Sequence, residues 1–293
     1  MLNFSFYIFT ILIWGSTWLA IKYQLGVIDP AWSITYRFAM AALILMFWCL
    51  ITRRPMRFST NDHLFMALQG ILLFALNYYL FYLSELHITS GLAAVVFSTI
   101  VVMNLINGRL FLGSPIELRV LLGGGAGLMG LSLLFWPEMV AVNFSGPIIY
   151  GLLLSFAATY LASLGNILSA RNQQHSLPVI QTNAYGMSYG ALCMLIVALI
   201  GGAPMKIEIT PDYLLSLVYL ALFGSVIAFG CYLSLIGRIG AGKAAYATLL
   251  FPIVALLLST IWEDYHWTVP GLFGIALIIC GNYLAVIKKV RRA

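Results

Sequence analysis

Long apolar stretches separated by short polar segments cover almost the whole chain. Each stretch is close to the roughly 20 residues that an α-helix needs to cross a bilayer. β-Strands of a membrane barrel are shorter and alternate in hydrophobicity, so these continuous runs favour an all-α membrane protein. The predicted membrane-spanning helices, ten in all, lie near residues 4–23, 32–51, 64–84, 89–111, 118–136, 147–169, 179–200, 213–236, 243–262 and 268–287.

The last five stretches repeat features of the first five in the same order. The matching segments are 17–20 with 159–162, 82–84 with 232–234, and 91–94 with 242–245. The chain is therefore predicted to hold two repeats, residues 1–140 and 141–293. Five spans are an odd number, so the second repeat is inserted upside down relative to the first. Inverted repeats are typical of transporters with a central binding site.

Composition agrees with the membrane interpretation. The chain is 62% hydrophobic and 8% charged, with a mean hydropathy of +0.99, whereas soluble domains are about 25% charged. The first stretch is too long and too aromatic for a signal peptide, and Lys22 and Tyr23 do not form a small-residue cleavage site. It is therefore predicted to remain as the first helix.

Charge sets the expected orientation. Most of the 15 Lys and Arg residues lie in segments on the same side of the membrane as the N-terminus. Most acidic residues lie on the opposite side. The positive-inside rule then places both termini in the cytoplasm and the chain in the inner (plasma) membrane. The net charge of +6 is accordingly interpreted as an orientation signal, and no nucleic-acid partner is expected.

Catalytic and metal-binding patterns are not evident. The cysteines are not in CxxC pairs, the histidines lie at the edges of loops, and neither HExxH nor GxSxG occurs. A glycine string at 125–130 has the letters of a dinucleotide fingerprint, but it lies inside a span and favours close helix packing. We therefore expect no enzyme activity, no cofactor and no metal. An intramembrane lipid-modifying enzyme remains the alternative from another class.

Several short motifs resemble a known family. They are Trp14-Gly15-Ser16-Thr17, Arg37 early in the second span, the Gly-x-Ala-Ala starts at 91–94 and 242–245, and Pro252. In these the chain is similar, over its full length, to EamA-type transporters of the drug/metabolite transporter superfamily. The resemblance implies a basket of ten helices that exports or exchanges small metabolites, including amino acids.

The two repeats differ at one position of that pattern. Val101 stands in the first repeat where the second has Pro252. Since proline kinks a helix, the fourth helix is expected to be less kinked than the ninth.

Uncharged polar and aromatic residues inside the spans are the candidate binding groups. A hydroxyl or amide in lipid needs a partner, so these groups should face other helices or a wet cavity. The substrate-binding candidates are Trp14, Thr17, Trp18, Asn77, Tyr78, Tyr82, Ser98, Thr99, Tyr160, Ser163, Tyr232 and Tyr246. This mixture favours a small, partly apolar zwitterion such as an amino acid. A drug or a nucleobase is the alternative solute, and Asn77 has a second interpretation as a hydrogen-bonding link between helices.

Arg37, Glu85 and Pro252 are the candidate gating or vestibule residues. Arg37 either attracts a carboxylate at the outer vestibule, or snorkels to lipid headgroups or pairs with Asp29 or Glu85. The middle third of every span lacks Asp and Glu, which favours facilitated export or exchange over strong proton coupling. Glu85 remains the one candidate proton relay. The expected partners are a small-molecule substrate and the lipid bilayer, with the chain a monomer or a homodimer.

Overall fold

A computed structural model of the protein describes residues 2–24, 28–142, 145–262 and 265–286, apart from the side chains of Trp18, Lys22 and Val286. Within these ranges every regular element is helical. Eight helical segments are long and apolar enough to cross a membrane, and two further apolar helices are shorter. The all-helical prediction is confirmed, while the count of ten spans stays a prediction.

The helices follow one another with short connections. In the first half they are α1 (Leu2–Lys22), α2 (Pro30–Ile51), α3 (Thr60–Glu85), α4 (Ser90–Leu112) and α5 (Leu118–Leu134), followed by a short helix at Trp136–Val140. In the second half they are α6 (Gly146–Gln174), α7 (Val179–Ile200), α8 (Pro211–Ile239), α9 (Ala241–Trp262) and α10 (Val269–Val286).

Local capping explains where two of the helices begin. The Asp29 carboxylate accepts a hydrogen bond of 2.8 Å from the backbone N–H of Ala31, and Pro30 occupies the first position of α2. Ser59 and Asp62 form a reciprocal capping box at the start of α3. Both devices satisfy backbone N–H groups that a helix start leaves without partners.

Helices α3 and α8 each contain a segment of π-helix, at Ile71–Leu76 and Leu220–Ile227. In the second segment, the Ser225 hydroxyl donates to the Leu220 carbonyl oxygen at 3.0 Å. Such segments widen the helix and are frequent at functional sites. Here both lie beside the central cavity described below.

The fourth helix, expected to be less kinked than the ninth, is interrupted as the ninth is. α4 is interrupted at Thr99 and α9 at 245–246, whereas Pro252 lies within the uninterrupted segment Ala247–Trp262. At both interruptions a threonine hydroxyl donates to the carbonyl three residues earlier, each at 2.6 Å, from Thr99 and from Thr248. These bonds compete with the regular helical pattern and bend the chain without proline.

The glycine-rich helices α5 and α10 pack directly against each other. A Cβ atom placed on Gly130 would lie 2.6 Å from the carbonyl oxygen of Gly274, and one on Gly123 would lie 2.5 Å from that of Gly281. Only glycine permits this backbone approach, as in small-residue packing between membrane helices.

Candidate functional site

A cavity of about 520 Å³ lies between the two halves of the chain. Side chains from α1, α2, α3, α4, α6, α8 and α9 line it, so both sequence halves contribute. Its volume is in the range of roughly 300–1,000 Å³ that is usual for small-molecule sites. Most of the wall is apolar and aromatic, with a few polar groups.

The wall on one side is an aromatic cluster centred on Trp14. Its ring centroid lies 4.9 Å from that of Tyr232, 5.1 Å from that of Phe229 and 6.4 Å from that of Phe251. The indole N–H donates to the carbonyl oxygen of Gly224 at 3.2 Å. Because the ring is held at both its edge and its polar atom, Trp14 has a fixed orientation at the wall.

Arg37 is the one basic residue among the described residues of the lining. Its side chain is 4% exposed, its Nε donates to the Ser225 hydroxyl at 2.9 Å, and its guanidinium carbon lies 5.1 Å from the ring centroid of Tyr78. The structure describes no ion pair between Arg37 and either Asp29 or Glu85. The guanidinium therefore lines the cavity rather than pairing with a carboxylate of the described chain.

Two asparagine amides reach the same cavity. Asn77 on α3 is 6% exposed, and its Oδ1 has no hydrogen-bond partner among the described residues. Asn166 on α6 donates from Nδ2 to the Tyr232 hydroxyl at 3.1 Å, and its Oδ1 likewise has no partner there. The expected alternative for Asn77, a link between helices, is therefore not what the described contacts show.

Acidic residues mark one end of the cavity, here called the mouth. Glu85 and Glu138 both line this end. The Thr89 hydroxyl donates to the Glu138 carboxylate, which lies directly over Gly91, so that any side chain at Gly91 would overlap with it. The mouth thus combines two carboxylates with the start of α4.

Buried amides link the two halves of the chain away from the mouth. The Asn172 Nδ2 of α6 donates to the Gln69 Oε1 of α3 at 2.9 Å, and the Gln69 Nε2 is 3.4 Å from the Asn183 Oδ1 of α7. All three side chains are buried and lie outside the lining of the cavity. They join the first half of the chain to the second.

The structure brings together most of the predicted site. The predicted residues in the lining are Trp14, Thr17, Arg37, Asn77, Tyr78, Tyr82, Glu85, Tyr232 and Pro252. The side chain of Trp18 lies outside the described part of the structure.

Three other candidates are placed elsewhere by their surroundings. Tyr160 is 42% exposed on the outside of α6. The hydroxyls of Ser98 and Thr99 both donate at 2.6 Å to carbonyls of their own helix, where α4 is interrupted. None of the three is in the lining.

The last two candidates make buried contacts between helices. Ser163 accepts a hydrogen bond of 2.9 Å from Asn107. Tyr246 is fully buried and donates to the carbonyl oxygen of Val120. Their hydroxyls are thus used in helix packing rather than at the wall.

Sequence analysis missed several wall residues. The phenylalanines carried no signal, since an apolar ring in a span faces lipid, a helix or a cavity with the same sequence pattern. The missed residues are Phe81, Phe97, Phe229, Phe251 and Glu138. Asn166, a span amide that needs a partner, also lines the cavity.

Comparisons with known proteins agree on one family. The model of the EamA-like transporter family matches residues 3–136 and 149–287. A solved crystal structure superposes with a TM-score of 0.82 at 16% identity and covers 99% of both chains, which shows a shared fold.

Curated relatives are similar over nearly their whole lengths. The chain is 29% identical to the uncharacterized inner membrane transporter YedA of Escherichia coli strain K12, covering 95% of this chain and 91% of YedA. It is 25% identical to the uncharacterized transporter YoaV of Bacillus subtilis, covering 96% and 95%. It is 24% identical to a probable amino-acid metabolite efflux pump of Escherichia coli strain K12, covering 94% and 92%. Because the family model covers both halves of the sequence, the chain belongs to the EamA-like transporter family.

Proposed function

We propose that this protein is an inner-membrane carrier, and not an enzyme, that exports or exchanges amino acids with aromatic or apolar side chains. In this proposal ten helices form two inverted repeats, with both termini in the cytoplasm. Three findings support it: the family, the separate match of the family model to each half, and the similarity to a probable amino-acid metabolite efflux pump.

The observation that carries the substrate assignment is Arg37. A buried guanidinium at membrane depth is costly unless it faces water or an anion. Arg37 is fixed by Ser225 and Tyr78 but has no carboxylate partner among the described residues. A carboxylate of the solute would supply that partner. One arginine does not make a phosphate clamp, so a monocarboxylate in an aromatic cavity fits better than a polyphosphate.

The shape of the site supports transport by alternating access. The cavity reaches the mouth at Glu85 and Glu138, and the amides of Gln69, Asn172 and Asn183 join the two halves outside its lining. In this proposal these amide contacts are the seal at the other end. A carrier must break such a seal and form another at the mouth. Since the seal joins α3 to α6 and α7, relative movement of the two halves would open it.

Uptake of radiolabelled phenylalanine, tyrosine, tryptophan and leucine into proteoliposomes tests the proposal. We expect Arg37→Gln to raise KM by about tenfold or more, because a hydrogen bond to a charged group contributes about 1.5–3 kcal/mol. Arg37→Lys should recover part of this loss. The matched control is Arg54→Gln, which removes an exposed charge outside the cavity.

Two results would contradict the proposal. One is that wild-type protein moves none of these amino acids. The other is that Arg37→Gln and Arg54→Gln behave alike.

An apolar cation, such as a cationic drug, is the second candidate solute. The two carboxylates at the mouth, Glu85 and Glu138, favour it. Transport of tetraphenylphosphonium by the same proteoliposomes, unaffected by Arg37→Gln but lost in Glu85→Gln, would support the cation in place of the amino acid.

A further inference from the structure

The amide oxygen of Asn77 has no partner in a largely apolar wall. This Oδ1 makes no hydrogen bond to any described residue, although Asn77 is only 6% exposed and lines the cavity. Buried polar groups in proteins are almost always paired. An unpaired amide at a cavity wall therefore points to a ligand.

Asn166 gives a second, independent observation on another helix. Its side chain is 1% exposed and lines the cavity, and only one half of its amide is used, in the bond to Tyr232. The Oδ1 has no partner among the described residues. If the amide were turned, the unused atom would be the donor instead, so one hydrogen-bonding atom stays free either way.

Asn166 lies farther from the mouth than Arg37, whereas Asn77 precedes Tyr78, whose ring packs against the Arg37 guanidinium. Arg37 is seven residues from the start of α2 at the mouth end, or about 10 Å of helix. Asn166 is on the part of α6 that continues to Asn172 and the closed end. A solute with its carboxylate at Arg37 would thus extend its side chain toward the amides.

We propose that Asn77 and Asn166 form a hydrogen-bonding subsite that selects, among aromatic amino acids, those whose side chains end in a polar, uncharged group. This rests on the proposed function, in which Arg37 binds the carboxylate. Tyrosine suits both parts of the site: its ring meets the aromatic wall, and its hydroxyl both donates and accepts. Phenylalanine has the same ring but leaves the amides unpaired, and a site built around a hydroxyl discriminates strongly against an analogue that lacks it.

Competition between tyrosine and phenylalanine tests the subsite. In proteoliposomes holding the full chain, we expect wild-type kcat/KM to favour tyrosine over phenylalanine by about tenfold, equivalent to about 1.4 kcal/mol. Asn77→Leu should bring this ratio to about one.

The matched control is Asn107→Leu, the same change at a buried asparagine that bonds to Ser163 and lies outside the lining. It should leave the ratio as in wild type. If Asn77→Leu fails to fold, Asn166→Leu provides a second variant. The ratio of kcat/KM for tyrosine to that for phenylalanine in the wild-type protein tests the subsite without any variant.

The outcomes separate the two proposals. Equal wild-type transport of tyrosine and phenylalanine, both sensitive to Arg37→Gln, would overturn the subsite and leave the amino-acid carrier standing. A tyrosine preference that survives Asn77→Leu and Asn166→Leu would also overturn it. If neither amino acid is carried, both proposals are wrong.

Discussion

Two polar side chains of the cavity wall, Trp14 and Arg37, are held by the other half of the chain. Trp14 and Arg37, from the first half, bond to the backbone of Gly224 and to the hydroxyl of Ser225 in the π-helical segment of α8. A π-helical segment exposes backbone and side-chain groups that a regular α-helix would use in its own hydrogen bonds. The π segment thereby fixes both the aromatic wall and the single guanidinium.

Replacing Trp14 by Ala should reduce transport by about tenfold while membrane insertion stays normal. The change removes ring contacts with Phe229 and Tyr232, and aromatic contacts contribute about 0.5–1.5 kcal/mol each. The control is Tyr160→Ala, an aromatic residue of the outer surface, which should stay within about twofold of wild type. Initial rates in proteoliposomes with matched protein content measure both. Equal loss in the two variants would remove Trp14 from the site.

The position of a side chain was predictable where its chemistry allows only one environment. Arg37 and Trp14 could be proposed for the site because a charge or an indole N–H inside a span needs a hydrogen-bonding partner or water. Ser98 and Thr99 misled, since a hydroxyl also finds a partner in its own helix at the carbonyl three residues earlier. The sequence alone does not show whether a hydroxyl bonds to its own helix or faces the cavity.

Helices were predicted well from apolar length, but their interruptions were not. A break at Thr99 follows from side-chain bonding to the backbone, and the break at 245–246 precedes Pro252 by several residues. Neither is visible in hydropathy. The close packing of α5 was predictable from its glycines, but its partner α10 was not, since glycines predict a close approach without naming the partner helix.

The contact of α5 with α10 gives a stability prediction. In Gly130→Ala the new methyl group would meet the backbone of Gly274 and Ile278 at 2.6–2.9 Å, so the two helices must separate. We expect Tm in detergent to fall by several degrees. The same change at Gly125, one helical turn away with open space around it, should leave Tm unchanged or raise it, because alanine favours a helix by about 0.5–1 kcal/mol. Thermal unfolding followed by size-exclusion chromatography compares them; a lower Tm for Gly125→Ala than for Gly130→Ala would contradict the packing.

For the whole molecule, the inverted topology remains a prediction that labelling can test. The distribution of Lys and Arg puts the turn before α3 in the cytoplasm and the turn before α8 outside. In a cysteine-free background, Asn61→Cys should resist an impermeant maleimide added to intact cells, and Met205→Cys should react. Both positions are exposed. Both should react after the cells are permeabilised, which controls for reactivity. Reversed labelling would invert the orientation, and with it the side of the membrane that the mouth faces.

Energy coupling follows from where the carboxylates lie. In the described part of the lining, Glu85 and Glu138 are both at the mouth, whereas the wall around Asn77, Asn166 and Tyr232 has no carboxylate. A proton that is exchanged for substrate has to bind to a group that faces alternate sides of the membrane together with the substrate site. A carrier whose carboxylates stay at one end is therefore predicted to act as a facilitator, driven by the gradient of the amino acid alone.

An imposed pH difference of about two units across proteoliposomes should then change the final distribution of tyrosine little. Tight exchange with one proton would shift the accumulation ratio about tenfold per pH unit, or about 1.4 kcal/mol, so the two mechanisms differ by about a hundredfold in this assay. Glu85→Gln and Glu138→Gln serve as paired tests, because both remove a carboxylate at the mouth and keep its size. If the pH difference drives uphill accumulation and only Glu85→Gln abolishes it, the facilitator is wrong and Glu85 is the coupling residue. If both variants abolish it, the facilitator is again wrong, and the two carboxylates at the mouth share the coupling proton.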